Sequence, residues 1–579
     1  MEAAEATLRA GLAAFPDSAQ LHFNLASLML GMGRGADAEA AFAKTVALDP
    51  ADQEAWLRLG SLRYQRADHS AAALAFECAA KISGPLQGQA HRFAGFALAD
   101  AGQPAAAVRH LAQALACLPA GDEDLPLVSQ LLFCRLEQCD WTDTATLVAR
   151  CRRMLEAGAI PAEPFTFLLL DEIGPRDQFT LSQRFCSALT PPEALPARTV
   201  PVEPRRPLRI GYFGDIFHGH ATARLATGMI EQHDHDQFEV HAFSYGPDDH
   251  GEHRRRLVEA CDAFHDIQAL DTAQTAAYIH QQEIDILIDL NGWTGNTRSA
   301  ALAWRPATVQ VNWLGYPATM GDRRIADYLI GDPVVTPAAE ADCYAEALAL
   351  MPHAYQPNDR TRVIGPLPDR AAAGLPEDGF VFCSFNRPLK ISATVFDIWC
   401  DILNQVPGSV LWLLEGSTES RANLTRLALD RGIASQRLIF APQRDQEAHL
   451  ARLSLADLVL DTWPYGAHTT ASDALWCGVP VLTRAGRTFS SRVAASLLKA
   501  CGLDDLVTHE PADYRDHAVR LALDPEALGA LRLRLAENRL QSPLFDTAGF
   551  ARDFERLLHL IWRDHQAGGR AGVLTLAPD

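Results

Sequence analysis

The rhythm of apolar and polar positions changes twice along the chain. In the first hundred or so residues apolar side chains fall three or four apart, and whole blocks repeat. A shift of 34 pairs Leu8 with Phe42 and Phe76, Ala4 with Ala38 and Ala72, Pro16 with Pro50, and Leu25 with Leu59. A shift of 35 adds Ala107, Leu111 and Ala114, and Pro85 after Pro50. Trp56, Leu59, Gly60, Ala72, Phe76 and Ala79 stand at tetratricopeptide spacing. Each unit is then a helical hairpin: small residues let its two helices approach, and large ones fill the groove to the next unit. The chain opens on what reads as the second helix of a repeat. Such an array presents a concave face to protein or peptide, or serves as a docking or dimerising spacer.

From about 120 to 205 the pattern stays helical in DLPLVSQLLF and DTATLVARCRRMLEAG, until prolines cluster at Pro191, Pro192, Pro196, Pro201, Pro204 and Pro207 and predict a linker. Beyond it come short apolar runs at 208–215, 238–245, 284–292, 309–315 and 328–333, then at 380–385, 410–416, 437–442, 457–462 and 479–483, with helical or loop stretches between several of them. That alternation predicts parallel sheets covered by helices, hence an α/β protein with two Rossmann-like lobes and a cleft between them. The expected division is 1–120 repeats, 121–205 connector and linker, 206–370 first lobe, and 371–579 second lobe, whose last helix packs back on the first. No GxGxxG opens either lobe, which disfavours a dinucleotide cofactor.

With 579 residues the chain exceeds one core at ~150 residues per domain. Its formal charge of −21 argues against general binding to nucleic acid or anionic membranes, while leaving room for a local basic pocket. Twelve cysteines are scattered without CxxC pairs, a pattern of free thiols in a reducing compartment. The opening MEAAEATLRAGLAAF lacks the basic and apolar regions of a signal peptide, and no run approaches a membrane span. A cytoplasmic location is expected.

The stretch Ala456–Thr483 reads as strand, loop, helix, strand, with His468, Thr469 and Thr470 at the helix start. Free N–H groups and the positive dipole end make such a point an anion site. Thr470 with Asp473 three residues on also fits an ordinary capping box. Asn386-Arg387-Pro388-Leu389-Lys390 leaves another strand at the same rim, so Lys390 can supply a point charge for a phosphate. His220 follows the first strand of the other lobe and would face the cleft from the opposite side, able to orient or deprotonate a hydroxyl. His280, near a helix end, is a weaker candidate. His233-Asp234-His235-Asp236 and Asp248-Asp249-His250-Gly251-Glu252-His253 imitate metal ligands without their spacing and read as solvated loops. There is no GxSxG elbow and no P-loop.

Taken together, the repeats and the segments LRIGYFGDIFHGHATA, RPATVQVNWLGYPATMG, CSFNRPLKI, PGSVLWLLEG, LDTWPYGAHTTASDALWCGVPVLT and SRVAASLL resemble the O-GlcNAc transferase family, particularly its compact bacterial members. Cys139-Asp140-Trp141 resembles it too. The resemblance implies a GT-B fold and an inverting, metal-independent transfer of GlcNAc from UDP-GlcNAc to Ser or Thr of proteins recruited by the repeats, with no cofactor. It implies that His468, Thr469, Thr470 and Asp473 hold the nucleotide diphosphate and ribose, that Lys390 stabilises the departing diphosphate, that His220 lies near acceptor and sugar, and that His449 lies beside the uracil. Arg387 stands where the family usually has glutamine, Gln446 where its animal members have a lysine at the nucleotide, and Ala221 where a proline follows the histidine. These departures bear on the donor, and a related branch uses GDP-fucose. A repeat adaptor that binds nucleotide without reacting is the alternative from another class. Apolar repeat faces leave a homo-oligomer open.

Overall fold

The structure, a computed structural model, describes residues 1–119, 122–189, 195–196, 207–569 and 572–576. Pro191, Pro192, Pro201 and Pro204 of the expected linker lie outside the described residues. The chain divides into two compact units, Met1–Ala159 and Ile160–Asp579. The boundary falls inside the region foreseen as a connector. The helices Leu125–Glu137 and Thr144–Glu156 continue the first unit, and Pro175–Ala188 belongs to the second. Within 121–205 the unit boundary thus falls between these helices, whose apolar faces bury in the unit to which each belongs.

In the first unit successive helices from Glu2–Ala14 to Pro104–Ala116 pack on their neighbours. The repeat has a steric basis. A Cβ on Gly60 would come 2.6 Å from the Phe76 ring, and one on Gly95 would come 2.5 Å from Leu111, so glycine permits the close approach within each hairpin. Ser18, Asp52, Asp68 and Asp124 cap helix starts by accepting a backbone N–H three residues on.

The second unit contains two parallel sheets. β1 (Leu208–Gly214), β2 (Phe238–Ser244), β3 (Ala263–Asp266), β4 (Ile286–Asp289), β5 (Val309–Asn312), β6 (Tyr328–Gly331) and β7 (Ala347–Leu350) build the first. β8 (Val381–Ser384), β9 (Val410–Leu414), β10 (Leu438–Ala441), β11 (Leu458–Leu460), β12 (Val481–Arg484) and β13 (Val507–Thr508) build the second, and β14 (Val573–Thr575) returns to the first. The strand orders are β14-β7-β6-β5-β4-β1-β2-β3 and β10-β9-β8-β11-β12-β13. This is the two-lobed α/β architecture that the alternation predicts. β3, β7, β13 and β14 are not among the expected strands. The expected strands 284–292 and 309–315 are shorter in the structure. Asp289 Oδ1 accepts the N–H groups of Asn291 and Gly292 and turns the chain out of the sheet, while Asn312 Nδ2 donates to the Ala318 carbonyl.

The helix Thr547–Gln566 lies against the first sheet's layer. Its Glu555 accepts from His233 Nδ1 at 3.0 Å, and Tyr212 Oη donates to His233 Nε2 at 2.7 Å. His233 is therefore buried in the core, a correction to its reading as part of a solvated loop. Asp249 instead serves the backbone, accepting from Gly219 and Gly251. The SRVAAS segment joins the sheets: Arg492 pairs with Glu340 at 2.8 Å, and Ser496 Oγ donates to the buried Asp332 at 2.7 Å. Among the described residues no helix is long and apolar enough to cross a membrane, and no three His, Cys, Asp or Glu side chains gather as metal ligands.

Candidate active site

β8 and β11 are neighbours, pairing Leu458 with Phe382 and Val459 with Cys383, so the loops after them leave the same sheet edge side by side. One runs through Asn386 and Arg387 to the turn Pro388–Lys390; the other runs from Asp461 to His468 and enters the helix Thr469–Trp476. They are bonded together. Thr470 Oγ1 donates to Asn386 Oδ1 at 2.6 Å, Asn386 Nδ2 donates to Thr462 Oγ1 at 2.9 Å, and Thr462 Oγ1 donates to the Tyr465 carbonyl at 2.9 Å.

Lys390 Nζ donates to the Gly466 carbonyl at 2.9 Å and stands 4.2 Å from the centroid of the Tyr465 ring. Burial pushes its pKa down to about 7, with Asp461 opposing and Arg387 adding to the shift. Asp461 is itself fixed, accepting from the N–H groups of Thr462 and Ala467 and from Thr483 Oγ1 at 2.6–2.7 Å; burial raises its pKa. The ammonium thus lies close to neutrality in a site preorganised for it, and an arriving anion would restore its charge.

The helix start does not use the capping box that Thr470 and Asp473 suggest. His468 is the residue before the helix and provides no side-chain cap; its ring stacks on Tyr465, and Nε2 faces the Ser490 carbonyl at 3.2 Å. Burial, with Lys390 nearby, drives its pKa well below the ordinary histidine value. Its carbonyl accepts from Ala471 and Ser472, and among the described residues no acceptor meets the backbone N–H of Thr469 or Thr470. Thr470 Oγ1 is committed to Asn386 and Asp473 to Arg362 at 2.6 Å, with the two side chains 9% and 1% exposed. These long-range partners displace the local cap.

His449 and Arg452 stand on the helix Gln446–Leu453. Arg452 Nη2 donates to His449 Nδ1 at 3.0 Å, and the guanidinium lies over the Phe385 ring. Burial first, then Arg452 and Arg224, push the His449 pKa down to about 4, so the ring is neutral with its proton on Nε2. Gln446 turns elsewhere: its Oε1 meets His253 Nε2 at 3.1 Å, and it does not line the cavity. Gln443 and Arg444, from the preceding loop, do line the cavity.

On the facing wall His220 precedes the helix Ala221–Ile230, and its Nδ1 accepts the Thr222 N–H at 3.2 Å. Burial lowers its pKa, opposed by Asp215. The neutral ring therefore carries its proton on Nε2 and offers a donor. Arg224 lies one turn on. Leu314 adopts φ 76°, a strained left-handed conformation, and Gly315 sits where a Cβ would come 2.0 Å from the Leu290 carbonyl oxygen.

Between the walls is a cavity of roughly 520 Å³ lined by Lys390, Arg387, His468, Thr469, Thr470, Asp473, His449 and His220, and also by Arg224, Arg444 and Arg452. Five lysine and arginine side chains thus converge in a chain of charge −21. The sequence reading missed Arg224 and Arg452. Their spacing, four after His220 and three after His449 on helices, is the signal that could have found them. His280, on the helix Thr272–Gln281, is not among the lining residues. Four of the five cations come from the second-sheet side and Arg224 from the first, so the arrangement can hold a multiply charged anion against the second sheet.

The model of glycosyl transferase family 41 matches residues 193–372 and 365–554, and a tetratricopeptide repeat model matches residues 1–61. A probable UDP-N-acetylglucosamine–peptide N-acetylglucosaminyltransferase of Arabidopsis thaliana is 33% identical over 452 residues, 74% of this chain and 46% of the relative. The Caenorhabditis elegans UDP-N-acetylglucosamine–peptide N-acetylglucosaminyltransferase is 28% identical, over 62% of this chain and 41% of its own length. The chain spans less than half the length of these curated relatives. The solved structure of a Thermobaculum terrenum O-GlcNAc transferase mutant superposes with a TM-score of 0.69 at 28% identity, covering 95% of this chain and 98% of the other.

Proposed function

The chain belongs to glycosyl transferase family 41, and from that membership we propose that it transfers N-acetylglucosamine from UDP-GlcNAc to serine or threonine hydroxyls of proteins recruited by its repeats. The reaction needs neither metal nor cofactor, and the protein works in the cytoplasm, where its free cysteines stay reduced.

The acceptor hydroxyl attacks the anomeric carbon on the face opposite the diphosphate. The bond from that carbon to the UDP oxygen breaks, its electron pair goes to the diphosphate, the hydroxyl proton passes through water to an oxygen of the departing diphosphate, and the configuration inverts. Negative charge grows on the leaving group, where Lys390 and the N–H groups of Thr469 and Thr470 stabilise it more in the transition state than in the ground state. His449, Arg452 and Phe385 form the wall for the nucleoside. His220, with Nδ1 engaged by Thr222, serves as a donor that orients the sugar–acceptor side and not as the base. The convergence of Lys390 with the open helix start across bonded neighbouring loops carries this reading.

Mass spectrometry of acceptor protein incubated with UDP-GlcNAc tests it. The wild-type protein adds one GlcNAc mass per modified hydroxyl. Lys390→Ala melts like the wild type but loses ~3 kcal/mol of transition-state stabilisation, on the order of a hundredfold or more in kcat/KM. Wild-type turnover by that variant overturns the assignment.

A further inference from the structure

Gln356 is 1% exposed, and neither its amide oxygen nor its amide nitrogen has a hydrogen-bond partner. It lines the cavity next to Tyr355, whose carbonyl is held by Trp313 beside Leu314 and Gly315, whereas Arg387, Lys390, Arg444 and Arg452 come from the loops and helix of the second sheet. A buried amide with both ends unpaired is unfavourable to keep, so a site that retains one has something for it to bind. The backbone on either side is clamped. The Tyr355 N–H donates to Asp332 at 2.9 Å, and its carbonyl accepts from Trp313 Nε1 at 3.0 Å. Two residues on, Asn358 donates to the Leu544 carbonyl and accepts from Ser472 and Arg362. The backbone that carries Gln356 is therefore fixed on both sides while its amide is unspent.

We propose that Gln356 is a specificity-determining residue that hydrogen-bonds the transferred sugar of the nucleotide sugar; this rests on the glycosyltransferase reading above. The assignment follows from position and chemistry. Diphosphate charge belongs at Lys390 and the helix start, and the nucleoside at His449 and Arg452, so the group reaching the opposite wall lies beyond the diphosphate. There the neighbouring Tyr355 is tied to Trp313, next to Leu314 and Gly315 in the cavity wall, and Arg224 is the one cation of the lining carried by the first-sheet side. A neutral amide, with one donor end and one acceptor end, fits a hydroxyl or an acetamido group and gives nothing extra to a charged one. A buried polar group also penalises a sugar that leaves it unpaired, which is how discrimination arises.

The test compares wild-type protein with Gln356→Leu and the near-isosteric Gln356→Glu. Melting temperature, UDP affinity by calorimetry, and kcat/KM for hydrolysis and transfer are measured with UDP-GlcNAc, UDP-glucose and UDP-galactose. Because no partner is lost, Gln356→Leu should melt no lower than wild type and bind UDP within twofold. Its kcat/KM for UDP-GlcNAc should fall roughly tenfold to a hundredfold, and its preference over at least one other sugar should shrink by tenfold. Should the leucine variant not fold, the glutamate variant gives the same comparison. Unchanged sugar ratios overturn the inference, as they would if Gln356 merely held a water in the smaller cavity of about 210 Å³ that it also borders. A rise confined to the acceptor KM, with hydrolysis unaltered, overturns it as well. If the wild-type protein uses no UDP-sugar, the functional reading falls and this inference with it; if it does and only the ratios stay fixed, the inference alone fails.

Discussion

On the second-sheet wall of the cleft, Asn386, Thr462, Thr470, Lys390 and Asp461 spend their polar atoms on the loops that carry them, whereas on the facing wall His220 keeps Nε2–H toward the cavity and Gln356 keeps its whole amide unpaired. On the proposed reaction, the difference follows from what each wall would do. A cation and a helix start that stabilise developing charge have to be in place beforehand, because reorganisation during reaction would cancel their benefit. A wall that distinguishes one neutral polar group from another works by leaving bonds for that group to complete.

The strongest way to break the contrast is to remove a support of the bonded wall. Arg362→Ala leaves Asp473 buried without its partner and should cost about 3–5 kcal/mol of stability, read from the urea midpoint; a change under about 1 kcal/mol would mean that Asp473 is satisfied elsewhere. Next comes a pH effect. Lys390 is held near 7 in the free protein, and a bound diphosphate raises its pKa. Above about pH 7 UDP binding therefore takes up a proton, and affinity falls up to roughly tenfold per pH unit until the pKa of the complex is passed. Calorimetry in buffers of different ionisation enthalpy measures that uptake. Lys390→Met should abolish it, and persistence in the variant would assign the proton to another group. The smallest effect is expected for Thr470→Val, which removes one hydroxyl bond to Asn386. About 1 kcal/mol of stability should go, and UDP should bind several-fold more weakly; wild-type UDP affinity would show that the bond does not align the helix start.

Much of this was legible before any fold was seen. The 34-residue period, the alternation of apolar runs with helical stretches, and the loops around Lys390 and His468 directly after strands all come from contiguous sequence. The capping box at Thr470 was misread for the same reason: the local pattern was right, but the atoms had better partners far along the chain. Nor does position along the chain say which way Gln446 turns, which is to His253.

By itself, then, the sequence determined the repeat unit, the two-lobed α/β class and the place of the two rim loops directly after strands, since each depends on periods of a few residues or on chain continuity. The tertiary structure alone decided that Lys390 meets Gly466 across 76 positions, Thr470 meets Asn386 across 84, and Asp473 meets Arg362 across 111. It also decided that Gln356 is left over. Those outcomes depend on strand order, which places β8 beside β11, and on the competition among buried polar groups for a limited number of partners. No local pattern records the result of that competition.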